Sequence, residues 1–157
     1  MAVEHQEFFS ACFGAGATLT GFCGTFLSFR IQREANYHRQ PALDFQSGTA
    51  KDIFIGLSHF TSSFLLLIIA SLLALIFGFT LPLFGLAGLP ISKQTVVAGM
   101  MATIIFIVGY FACEMVHYGV LNKRLLHDRD EWGRSVLIVI FTFCAATSLF
   151  LAITLNI

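Results

Sequence analysis

Apolar residues gather into four long blocks separated by short polar stretches: about Phe8–Phe29, Ile53–Thr80, Thr95–Leu121 and Ser135–Leu155. Each block has the roughly 20 residues that a helix needs to cross a hydrocarbon layer of about 30 Å. The polar punctuation agrees with four helices. Thr49 followed by Asp52 reads as a capping box at the start of the second. Pro82 and Pro90 bracket a short apolar turn, and Ser92 or Thr95 can cap the third. The second block is long enough to tilt or to run past the membrane edge. Nothing breaks the first helix before Pro41, so it can continue to Gln40. The pattern predicts an all-α integral membrane protein: one four-transmembrane-helix bundle over residues 1–157, with antiparallel neighbours and short loops.

Composition strengthens this reading. Hydrophobic residues make up 57% of the 157 residues and charged ones 11%, well under the roughly 25% charge of a soluble domain. A mean hydropathy of +0.82 is more apolar surface than a core of this size could hide. With a net charge of zero and its basic residues in short loops, the chain has no field to attract nucleic acid. The segment Met1–Glu7 is acidic and lacks the positive flank of a signal peptide, so the first apolar block is expected to stay as a helix. Cys12, Cys23, Cys113 and Cys144 all fall in apolar blocks, as small buried hydrophobes rather than a disulfide framework or metal knuckle.

Lys and Arg set the expected orientation. The loop 30–52 carries Arg30, Arg33, Arg39 and Lys51, and the loop 122–134 carries Lys123, Arg124, Arg129 and Arg134. The remaining connection has only Lys93. These two basic loops are expected in the cytoplasm of a cell (inner or plasma) membrane, with both termini outside. Trp132, Tyr37 and Tyr118 suit anchors at the cytoplasmic boundary. Arg30, Arg33 and Arg39 are expected among lipid headgroups.

Two patterns could carry function. On the first helix, Ser10, Gly14, Ala17, Gly21, Gly24 and Ser28 form a heptad-spaced seam of small residues, with Thr18 and Thr25 beside it. Such a seam permits close packing against another helix, within the protomer or across an oligomer. It could also line a conduction path built from several copies. On the second and third helices, His59, Glu114 and His117 are ionisable groups inside apolar blocks, where charge is costly. Glu114 and His117 share a helix face with Tyr110, and Ser58, Thr61, Ser62 and Ser63 add hydroxyls at the level of His59. This group could be a hydrogen-bonded knot, an ion or proton relay, or a weak metal set of His59, Glu114 and His117. No catalytic residue and no cofactor is assigned.

Two short segments resemble known membrane-protein families. Leu19-Thr20-Gly21-Phe22 with Glu114 on a third helix resembles the Orai calcium channels, but the expected outward termini and the absence of a glutamate on the first helix depart from that family. Arg30-Ile-Gln-Arg33 followed by Asn36 is similar to a segment of the membrane-bound MAPEG enzymes, from which Pro41 and the polar stretch after it depart. Neither supplies site residues. The function favoured by the sequence is an ion-conducting or translocating homo-oligomer; the alternatives are a non-catalytic accessory or structural subunit of a membrane complex, and a small membrane enzyme with an intramembrane metal or a thiol substrate. All three have the lipid bilayer as partner, together with further copies or other subunits.

Overall fold

The computed structural model describes residues 2–39, 63–121 and 129–155, with side chains described for 4–32, 63–116 and 133–155. The described residues are nearly all helical. Helix α1 is Ala2–Arg39, α2 covers 63–73, a π-helical segment spans Ala74–Thr80, α3 is Leu81–Leu86, α4 is Lys93–Leu121 and α5 is Arg129–Leu155. Among the described residues, four stretches are long and apolar enough to cross a membrane: Glu4–Gln32, Ser63–Leu86, Lys93–Val116 and Gly133–Leu155. The Thr49–Asp52 box, His59 and Lys51 lie outside the described residues, as do the side chains of Arg33, Tyr37, Arg39, His117, Tyr118, Lys123, Arg124, Arg129 and Trp132.

Helix α1 is longer than its apolar block at both ends. At about 1.5 Å per residue its 38 residues extend roughly 57 Å, well beyond a hydrocarbon layer of about 30 Å. The second span also differs from its expected shape, because it continues through Pro82. The π segment explains how. Leu81 N–H and the Thr80 hydroxyl both reach back five residues, to the carbonyls of Ile76 and Leu75. Pro82 then sits in the first turn of α3, where its missing N–H leaves no gap in the ladder. The turn comes after Leu86 instead. Gly88, at φ +84°, takes the left-handed position, and its N–H bonds to the Gly85 carbonyl while that of Leu89 reaches Phe84. Ser92 opens α4, accepting from Thr95 N–H at 3.4 Å.

Packing relies on small residues at the crossings. Helices α1 and the π segment meet backbone to backbone at Gly16 and Gly78, where a Cβ on either would overlap the other. Gly109 of α4 lies against Thr142 of α5, and Gly99 of α4 lies against Phe77. With so little bulk at these points, the larger neighbours close over them. Leu66, Leu67, Ala70, Ala102, Phe106 and Tyr110 build the centre of the core, with Cys23 reaching in from α1. Phe106 and Phe143 add an edge-to-face pair across α4 and α5, centroids 5.0 Å apart.

Candidate functional site

Helix α1 presents two distinct stripes. Phe9, Gly16, Cys23 and Arg30 are seven residues apart and all buried, so this stripe is the packed one. Phe9 fits over Gly85, Gly16 over Gly78, and Cys23 joins the core. Arg30 completes the series. Only 5% exposed, it turns inward and pairs with Glu114 of α4, Nη1 to Oε1 at 2.5 Å. Its Nη2 donates to the Ser63 hydroxyl of α2 at 2.8 Å.

Arg30 therefore does not lie at the headgroups as its position after the apolar block implied. The physical reason is Glu114. A carboxylate 8% exposed among apolar side chains needs a cationic partner, and a guanidinium offers planar donors that can hold two acceptors at once. One side chain thus ties three helices together. The electrostatics are those of a compensated pair: desolvation of each ion is offset by the other and by the serine hydroxyl.

Tyr110 sits one helical turn before Glu114, buried, with its ring against Phe26 of α1 at 6.3 Å and Phe111 at 5.3 Å. The structure thus brings Glu114 together with Arg30 and Ser63, and Tyr110 lies one turn away on the same helix. His59 and the His117 side chain lie outside the described residues, so their convergence on Glu114 is not part of this geometry. Among the described residues, no three His, Cys, Asp or Glu side chains gather in a metal-holding group.

The small-residue seam lies elsewhere. Ser10, Gly14, Ala17, Gly21, Gly24 and Ser28 are all exposed, roughly a third of a turn around α1 from the buried stripe. A Cβ built on Gly14, Gly21 or Gly24 meets nothing. Among the described residues, nothing in the protomer packs into this seam. Thr18 and Thr25 turn their hydroxyls back to the Gly14 and Gly21 carbonyls, at 3.1 and 2.8 Å.

No family model, curated protein or solved structure matches this chain.

The outer faces of the other helices give the seam its contrast. Helix α5 exposes Leu137, Ile140, Phe141, Leu151 and Leu155, and α4 exposes Val108 and Met115. Bulky apolar side chains of this kind match acyl chains. The α1 seam offers glycine backbone and small hydroxyls instead.

Proposed function

We propose that this is a multi-pass membrane protein that acts as an assembly subunit, docking a further transmembrane helix along the outer seam of α1. The carrying observation is the exposure of all six seam residues on a helix whose other stripe is fully packed. In lipid, helices associate through packing and backbone approach rather than through hydrophobicity, and small residues make that approach possible. The Arg30–Glu114–Ser63 cluster supports this role by fixing how α1 is rotated, and so which face it turns outward. A pair satisfied in this way reads as a clamp on helix register rather than as a relay.

Ion conduction is a second reading, in which copies of α1 surround an axis. Ser10, Ser28 and Gln32 favour it, being exposed and polar on or beside the seam. Thr18 and Thr25 favour packing, because their hydroxyls already donate to the helix backbone.

The test is native mass spectrometry of the full chain extracted in mild detergent. We expect a defined complex, and Gly21→Leu should weaken it by about tenfold or more, the leucine holding the partner helix away. The monomer's own unfolding should stay within about 1 kcal/mol of the parent. If Gly21→Leu leaves the assembly intact, the seam is not its docking surface. Three or more identical copies that pass ions in liposomes, with flux lost in Gly21→Leu, would instead favour conduction.

The proposed orientation keeps the basic loops in the cytoplasm, following the positive-inside tendency. A cysteine at Gln40 should then resist an impermeant thiol reagent added to intact cells, after the four native cysteines are replaced by serine. Labelling from outside would reverse the assignment.

A further inference from the structure

The end of the bundle opposite Arg30 holds a second feature. A cleft of about 550 Å³ opens between the first turn of α1 and the α3–α4 connection. Glu4, His5 and Lys93 line it, with the backbone of Gly85 and Gly88 behind. These side chains carry both signs of charge, and two of them are held by aromatic rings. Lys93 Nζ lies 5.0 Å from the centroid of Phe8, and His5 meets buried Phe9 edge-on at 4.7 Å. Glu4 and Lys93 form no salt bridge with one another although both face the same cleft.

Position along the spans decides which molecule this cleft meets. The apolar blocks of α1 and α4, from about Phe8 and Thr95, both start just past these charged residues. The cleft therefore sits where two helices leave the hydrocarbon, level with the headgroups. A headgroup at that depth presents a phosphodiester, and in a zwitterionic lipid it adds an ammonium a few bonds away. An anion facing Lys93 and His5 together with a cation facing Glu4 is the matching arrangement.

We propose that this cleft binds the headgroup of a zwitterionic phospholipid, Lys93 and His5 holding the phosphate and Glu4 the ammonium. The proposal rests on the chain spanning a membrane, and is independent of what docks on the α1 seam. An anionic lipid with an uncharged glycerol headgroup would gain from Lys93 but lose at Glu4, whose carboxylate would have no cation to meet. The site thus selects for lipid class through Glu4 and for affinity through Lys93.

The experiment uses the full chain, stripped of lipid in mild detergent and offered phosphatidylethanolamine, phosphatidylglycerol or soluble glycerophosphoethanolamine, with adducts counted by native mass spectrometry. Phosphatidylethanolamine should be retained in preference to phosphatidylglycerol. Lys93→Gln should weaken its binding roughly tenfold, the effect of one charge-assisted contact. Glu4→Gln should remove the preference between the two lipids. Both residues lie at the surface, so both variants should melt like the parent chain. Unchanged phosphatidylethanolamine binding in Lys93→Gln, or an unchanged preference in Glu4→Gln, would overturn the proposal. Glycerophosphoethanolamine binding as tightly as the lipid would overturn the lipid assignment in favour of a soluble ligand. The oligomeric state in the same spectra reports on the α1 seam separately, so failure of one reading is visible apart from the other.

Discussion

Replacing Arg30 by methionine should remove about 3–5 kcal/mol of stability, the usual cost of leaving half of a buried ion pair without its partner. The geometry behind this is a guanidinium 5% exposed, bonded to Glu114 on one side and Ser63 on the other. Glu114→Leu should cost at least as much, because a lone carboxyl can be neutralised by a proton while a lone guanidinium cannot. The double variant, Arg30→Met with Glu114→Leu, should recover most of the loss, since apolar side chains can fill a site that no longer holds charge. Reversible unfolding in mixed detergent micelles, read as a double-mutant cycle, measures all three. A coupling near zero would mean that the two charges are not in contact in the folded protein. Ser63→Ala should cost less, about 1–2 kcal/mol, because it removes one hydrogen bond and leaves the ion pair in place.

The second large effect is expected at Gly16. A side chain there would occupy the space of the Gly78 backbone, and backbone cannot swing aside as a side-chain end can. Gly16→Leu should therefore push α1 off the π segment and cost about 3 kcal/mol or more. Gly14→Leu and Gly21→Leu are the contrast, since both face open space on the same helix. Their monomers should unfold within about 1 kcal/mol of the parent, a helix interior generally gaining when glycine is replaced. Equal losses at positions 16 and 21 would show that α1 does not hold the rotation described.

The contrast between these glycines also shows what the sequence could and could not tell. Four long apolar helices were legible because block length is a local property. The seam Ser10–Gly14–Ala17–Gly21–Gly24–Ser28 was legible because its members look alike. The stripe that does the packing, Phe9–Gly16–Cys23–Arg30, has an equally regular spacing but joins an aromatic, a glycine, a thiol and a cation. Residue type hides it. Only the surfaces it meets, Gly85, Gly78, the core and Glu114, give the four a common purpose.

Arg30 had one available signal. Glu114 is a carboxylate deep in an apolar block, and a buried carboxylate calls for a cation. The basic residue at the very end of the first block is the natural candidate once the first and third spans are placed side by side. What the sequence lacks is that placement, since a periodic pattern does not fix which helices are neighbours. Ser63 was legible only as one hydroxyl among several. The π segment had still less to announce it: Ala74–Thr80 is an ordinary apolar run, and Pro82 after it reads as a stop.

A π turn holds one residue more than an α-helix of matching bonds, and that surplus sets a phase. Below it, α2 must point Ser63 at Arg30; above it, α3 must lay Gly85 against Phe9. Both partners belong to the single straight stripe on α1, whereas the opposing span reaches them with two segments. Without the extra residue, one segment would be turned by roughly 100° relative to the other, and only one of the two contacts could form. Ala74–Thr80 works as the joint that lets an interrupted helix keep time with a continuous one.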